Sequence, residues 1–233
     1  MKEFRDALRR IRSLELLSPQ MMRKRTRTND QDIGAGGEKL SAFLLGIKGE
    51  HRERLLGLLK TYYPNLIDFK VSSQRAGWKT LSVIEQFQEQ KLEMEATHLN
   101  DGLLRILAVL AQSESDRSLI LLDEIENGIN QEIVEKLVDT LVASLQQMLV
   151  TTHSPLILNY LDDEVARQSV QFIYKTPQGE SRTRHFFEIP RVGEKLLCMG
   201  PGDAFVDTDL EALTKECIEL DRGYQLPDSG SDA

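Results

Sequence analysis

The apolar positions of this chain change period several times along its length, and the changes divide it into segments. Over residues 1–17, Phe4, Leu8, Ile11 and Leu14 recur at helical spacing, which predicts one helix stopped by Ser18-Pro19. Residues 23–37 are polar and close on Gly34-Ala35-Gly36-Gly37, the composition of an exposed loop. A second helical stretch covers 38–62, broken at Gly46 and Gly49. Beyond Pro64-Asn65 the period becomes two. Ile67, Phe69 and Val71 alternate with polar residues, as do Leu81 and Val83 after Ala76-Gly77, so two antiparallel strands are expected.

From Leu103 the pattern thickens. Leu103, Leu104, Ile106, Leu107, Val109 and Leu110 are apolar nearly all round, as in a helix buried in the body of a fold. Leu119-Ile120-Leu121-Leu122, bounded by Arg117 and Asp123, fits a strand buried on both faces of a parallel sheet. Ile133, Val134, Leu137, Val138, Leu141, Val142 and Leu145 form one helical stripe with Asn130 placed as its N-cap. Met148-Leu149-Val150 reads as a second buried strand, followed by a short helix opened by Ser154-Pro155. Residues 170–174 and 183–189 predict strands around a turn at Pro177-Gln178-Gly179, and the Ser/Gly/Asp-rich tail from Asp228 predicts disorder.

Strand, helix and strand over residues 119–150 make a βαβ unit with a right-handed crossover, so the two strands run parallel. Asp123-Glu124 and Thr151-Thr152-His153 then emerge at one sheet edge, where open α/β sheets bind ligands. A carboxylate there can hold Mg2+ beside nucleotide phosphates, a neighbouring Glu can polarise an attacking water, and a His can hydrogen-bond the terminal phosphate. An isolated Asp-Glu pair more often caps a surface turn. Four aliphatic residues before this pair, and Thr-Thr-His after the next strand, favour the chemical reading.

These residues carry a family resemblance. Residues 119–128, Leu-Ile-Leu-Leu-Asp-Glu-Ile-Glu-Asn-Gly, resemble the Walker B strand and D-loop of ABC-type ATPases, in the AAA-family branch of RecF, SMC and OLD proteins. Residues 150–155, Val-Thr-Thr-His-Ser-Pro, resemble the switch-histidine segment of that branch. Leu99-Asn100-Asp101-Gly102-Leu103-Leu104-Arg105 is similar to its signature motif, with Asn100 where the family has Ser. The resemblance covers residues 99–161, and more weakly the first hundred. It implies an α/β fold: a parallel-sheet ABC-type P-loop ATPase core (its C-terminal half), an N-terminal helical lobe and a small antiparallel strand pair.

The implied site has Asp123 on Mg2+, Glu124 and His153 as catalytic groups, and Asn100, Asp101, Gly102, Asn127 and Gly128 on ATP. The signature would face nucleotide held by a second subunit, giving a homo- or heterodimer through an ATP-sandwich face. An Asn or Asp cap and Gly102 suit a helix N-terminus that approaches phosphate. The implied division is a helical lobe (1–65), strands leading to the signature (66–98), the core half (99–190), a helical extension (191–227) and a tail (228–233).

The string G-x-x-x-x-G-K-[ST], whose amides wrap phosphates, does not occur in the sequence. In Gly34-Ala35-Gly36-Gly37-Glu38-Lys39-Leu40-Ser41, Glu38 separates Gly from Lys and no buried strand precedes it. The family's P-loop and Q-loop are expected ahead of these residues. The chain is then the C-terminal part of a longer ATPase, one half of a split ATPase completed by a P-loop-bearing partner, or a non-catalytic dimerisation or regulatory module. Relatives of this kind serve DNA repair or antiphage defence through a fused or partner effector.

Composition narrows this only slightly. A net charge of -8 disfavours nucleic acid as a general partner, and Arg23-Lys24-Arg25-Thr26-Arg27 is the local exception. Trp78 and the other aromatics are not interleaved with basic residues. Two cysteines and a charged N-terminus suit a cytoplasmic protein, and no apolar run would span a membrane. Asp123-Glu124-Ile125-Glu126 also resembles a helicase box, and Asp207-Thr208-Asp209 a nuclease acid pair. The helicase has no place for the signature-like stretch. Asp207 and Asp209 read better as helix-start residues before Leu210 and Leu213.

Overall fold

The computed structural model describes residues 2–9, 11–13, 17–27, 32–113 and 119–223. Leu14, Arg117 and the tail from Asp228 lie outside them. The chain forms two compact units, Met1–His153 and Ser154–Ala233.

In the first unit, helix α1 (Lys2–Arg9) leads into strand β1 (Ile11–Ser13) and the short helix α2 (Pro19–Met22). The single helix expected through residue 17 therefore ends at Arg9. Phe4 and Leu8 are exposed, whereas β-branched Ile11 pairs in parallel with Leu119. Pairing with a well-packed strand outweighs a helical stripe that has little to cover it. The polar stretch 23–37 is not a free loop either. Ile33 is fully buried, and Thr26 bridges Lys79. Gly37, at φ +82, packs so close to Met22 that an added Cβ would stand 2.4 Å from its Cγ. Glycine is required there for α2 to close on the turn.

Helices α3 (Leu40–Gly46) and α4 (Gly49–Tyr62) precede strands β2 (Leu66–Ser73), β3 (Lys79–Phe87) and β4 (Gln90–Glu95). These strands form an antiparallel meander, so the expected strand pair is a three-stranded sheet. Strand β4 is almost wholly exposed, and only Leu92 and Met94 interrupt its polar run. It therefore carries little apolar signal.

Helix α5 (Asp101–Ser113) buries Leu103 and Leu104 and every residue from Ile106 to Gln112, as its all-round apolar pattern predicts. Strand β5 (Leu119–Leu122), helix α6 (Gln131–Val142) and strand β6 (Met148–Val150) follow. The sheet order is β1-β5-β6 with both pairings parallel, Ile11 opposite Leu119 and Leu122 opposite Val150. The fold class is thus α/β around a parallel sheet.

Burial of this sheet is lopsided. Ile120 and Leu122 are buried, Leu119 and Leu121 only half so, and Leu149 is 53% exposed. Val142 and Leu145, at the end of the α6 stripe, are exposed as well. Residues alternate between faces along a strand, so one face of β5 is packed and the other only partly covered. Asn130 sits at the α6 N-cap, yet it contributes through its backbone carbonyl, which accepts from Ile133 and Val134, and not through its side chain.

The second unit comprises α7 (Pro155–Leu158), α8 (Asp163–Ser169), the antiparallel hairpin β7 (Gln171–Lys175) and β8 (Ser181–His185), α9 (Pro190–Gly193), α10 (Pro201–Val206) and α11 (Leu210–Gly223). Strand β8 ends at His185, short of the expected 189, because Phe186 and Phe187 turn into the core. Their rings meet edge to face at 4.9 Å. Asp221 of α11 clasps the hairpin, accepting from Tyr174 Oη at 2.8 Å, Arg182 at 3.1 Å and Arg184 at 2.6 Å. Asp209 caps α11 by accepting from the Glu211 and Ala212 amides, each at 3.0 Å, and those bonds, Ala212's first, hold its carboxyl below the usual range. Asp207 ion-pairs with Lys195 at 3.0 Å. Cys198 and Cys217 are both free thiols. Among the described residues, no helix is long and apolar enough to cross a membrane.

Candidate functional site

The parallel sheet delivers three strand ends to one edge. Thr151, the first residue after β6, is tied to the residues leaving the central strand β5. Its amide donates to the Leu122 carbonyl at 2.9 Å. Its hydroxyl donates to Asp123 Oδ1 and accepts from the Glu124 amide at 3.1 Å. Glu124 adopts φ +46, a left-handed conformation that costs a side-chain-bearing residue on the order of 1 kcal/mol. It is held there by the Thr151 bond and by the Asn127 amide, which donates to the Glu124 carbonyl at 2.9 Å. Asn127 Nδ2 also donates to Glu124 Oε2 at 3.3 Å.

His153 Nε2 lies 3.5 Å from the other carboxylate oxygen of Glu124. Both side chains remain open, His153 at 86% and Glu124 at 45% exposure. Glu126 supports this segment, its Oε1 accepting from the Thr152 hydroxyl at 2.9 Å and the His153 amide at 3.1 Å. The turn after β5 and the turn after β6 are therefore fastened by side chains as well as by the sheet.

The start of α5 packs onto the same turn. Asn100 Oδ1 accepts from the Leu103 amide at 2.7 Å, a side-chain N-cap. Arg23 pins the approach, donating to the Leu99 carbonyl at 2.6 Å and to Asp101 Oδ1 at 2.5 Å. A Cβ placed on Gly102 would stand 3.4 Å from the Gly128 carbonyl and 3.6 Å from Tyr63 Oη. A Cβ on Gly128, at φ +71, would stand 3.4 Å from Arg105 Nε. Burial, with Glu85 adding to it, pushes the Tyr63 hydroxyl up to about 12, so it stays neutral.

An open cavity of about 440 Å3 lies against these groups, lined by Leu17, Ser18, Pro19 and Gln20 together with Asp101, Arg105, Asp123, Glu124 and Asn127. Of the residues singled out from sequence, Asp101, Asp123, Glu124 and Asn127 line it. Asn100, Gly102 and Gly128 form the packed turn beside it, and His153 joins through Glu124. Sequence reasoning passed over Gln20 and the tethering role of Thr151, and it named Arg23 and Glu126 only within other motifs. Ser18-Pro19 reads as a helix stop, whereas it opens α2, with Ser18 as the N-cap and Pro19 in the first turn. Since β1 runs parallel to β5, residues that follow it reach the same edge. Three residues of β1 were too few to display a period of two.

Residues 3–159 match the model of the family described as "AAA domain, putative AbiEii toxin, Type IV TA system". No curated protein matches the chain significantly. Among solved structures, the chain is similar to one described as "Structural biochemistry of ATP-driven dimerization and DNA stimulated activation of SMC ATPases". That likeness has a TM-score of 0.43 and 12% identity over 73% of this chain and 91% of that one. It is also similar to an Smc head domain with a coiled coil and joint from Pyrococcus yayanosii, at TM-score 0.42 and 16% identity over 63% of this chain and 28% of that one. A third is an Smc head domain from Pyrococcus furiosus bound to the C-terminal domain of ScpA, at TM-score 0.42 and 10% identity over 63% and 37%.

Proposed function

The chain belongs to this AAA-domain family, and on that premise we propose that it binds and hydrolyses ATP with the strand-end groups Asp123, Glu124 and His153, once a P-loop completes the site. The observation that carries the reading is the convergence of these three with Asn127 and the capped start of α5 beside one cavity.

The donor set suits Mg-ATP. Among the described residues, no three His, Cys, Asp or Glu side chains form a cage for a metal. Mg2+ needs none, since it keeps waters and takes one or two carboxylates plus phosphate oxygens. Asp123 would supply the carboxylate, with the Gln20 amide oxygen available across the same cavity. Mg2+ bound there would screen the phosphates and orient the terminal one for attack by water. Glu124 accepts a proton from that water, and its backbone, fixed by Thr151 and Asn127, sets where the carboxylate stands. His153 donates a hydrogen bond to the terminal phosphate. Asn100, Asp101 and Gly102 present a helix N-terminus to phosphate, in the reading where a second subunit supplies the nucleotide.

The phosphate-wrapping loop comes from a segment outside these residues or from a partner chain. Partial cover of the parallel sheet supports this, because Leu149, Val142 and Leu145 leave an apolar surface that a further strand and helix would bury. The dimer through an ATP-sandwich face belongs to the same proposal. A defence role in preference to DNA repair belongs to the same proposal; the family description names a putative toxin and a Type IV TA system.

Isothermal titration with Mg-ATP tests completion. The chain by itself is expected to bind nothing at micromolar ATP and to gain binding when a P-loop-bearing segment is supplied. Tight binding by the chain alone would contradict the proposal.

A further inference from the structure

Of the basic run 23–27, Arg23 is engaged at the start of α5, and Arg25 and Arg27 build a separate surface. Thr26 bridges Lys79 in antiparallel fashion, its amide donating to the Lys79 carbonyl at 3.3 Å and the Lys79 amide donating back at 2.8 Å. Side chains alternate along extended backbone, so Thr26 and Lys79 turn inward, at 7% and 5% exposure, while Arg25, Arg27 and Trp78 face solvent. The Arg27 guanidinium sits over the Trp78 ring, 5.5 Å from its centroid. Arg25 donates to Gln74 Oε1 at 3.0 Å, which ties it to the β2–β3 hairpin tip. Arg75 is exposed on that tip, whereas Lys24 turns back to α2, its Nζ donating to Met21 Sδ at 3.3 Å. Glu95, 3.9 Å from Arg25, is the acidic neighbour.

We propose that this face, Arg25, Arg27 and Arg75 grouped about Trp78, docks single-stranded nucleic acid. The linear sequence keeps Trp78 some fifty residues from the basic run, and the Thr26–Lys79 bridge closes that gap. Two segments locked together hold three cations around an indole that is 39% exposed. Guanidiniums take phosphates, and the indole with its stacked guanidinium offers a flat surface to an unpaired base. A duplex hides its base faces and cannot use that surface. The net charge of -8 opposes long-range attraction, so binding is short-range and falls steeply with salt. This proposal stands apart from the ATPase reading and survives its failure.

Trp78 is the only tryptophan, so its fluorescence reports stacking directly. Titrating the full chain with short oligothymidine and oligouridine is expected to give saturable quenching, and whichever strand quenches at lower concentration identifies DNA or RNA as the occupant. Arg27→Glu and Arg75→Glu, each with native far-ultraviolet dichroism, should weaken binding by about tenfold or more at low salt. Trp78→Ala, followed by anisotropy of a labelled strand, should weaken it by about tenfold. The proposal is overturned if neither strand quenches, if the Glu variants bind like the parent, or if duplex DNA or base-free polyphosphate binds as tightly as the single strands.

Discussion

The Nε2 of His153 lies 3.5 Å from Oε1 of Glu124, although the two residues follow different strands. Parallel pairing of β5 and β6 produces this proximity, and Thr151 and Glu126 refine it. On the proposed reading, replacing His153 by Ala removes a single hydrogen bond to the terminal phosphate and leaves Glu124 in place. Steady-state ATP hydrolysis by the completed ATPase should fall by about 10- to 100-fold, with ATP affinity changed less.

Thr151 serves both carboxylate residues through one hydroxyl. Thr151→Val keeps its shape and loses the bonds to Asp123 and to the Glu124 amide. The variant should melt earlier, by about 1–3 kcal/mol, and need more Mg2+ for half-maximal turnover, while Thr151→Ser should restore both. Thermal denaturation and a Mg2+ titration of activity check the pair of effects.

Gly102 faces the Gly128 carbonyl and the Tyr63 hydroxyl with room for a methyl group at ordinary contact distance. Gly102→Ala is therefore expected to fold with near-parental stability, yet to lose ATP turnover if, as proposed, phosphate approaches the backbone at this glycine. Asn100→Ala should lower both, costing about 1 kcal/mol of stability through the lost cap and loosening the helix N-terminus proposed to face phosphate. Melting curves beside activity assays separate the two.

Asp221 gives the second unit a pH dependence. Burial pushes its carboxyl up, but hydrogen bonds from Arg184, Tyr174 and Arg182 outweigh that and hold it below the ordinary value. A carboxyl depressed on folding stabilises above its unfolded value, and the contribution disappears as pH falls through the folded value. Asp221→Asn should therefore cost about 1–2 kcal/mol at neutral pH. It should cost almost nothing in acid well below pH ~4. Melting curves of parent and variant across that range measure the difference.

Much of the site was legible because it lies on the βαβ unit, where apolar run, helical stripe and apolar run identify the strands and their parallel pairing brings Asp123, Glu124 and His153 together. Helix α5 was equally plain from its apolar surround, and a cap at Asn100 or Asp101 from its place before it; the Leu103 amide bonds Asn100. The elements that escaped are those whose signal is tertiary. Strand β1 is three residues long and reads as helix until β5 pairs with it, which hid Gln20 at the sheet edge. Strand β4 exposes both faces, and the 23–37 stretch is polar yet anchored by Ile33 and the Thr26–Lys79 bridge. Leu149 and Leu145 read as buried from hydropathy alone, and their exposure emerges only once their neighbours are in place.

The most direct test of the account replaces one atom of Glu124. In the chain completed by a P-loop-bearing segment, Glu124→Gln should lower ATP hydrolysis by about 100-fold or more while ATP stays bound, accumulating nucleotide-loaded dimers. Turnover at the parental rate in that variant would contradict the role assigned to Glu124 and, with it, the reading of the site.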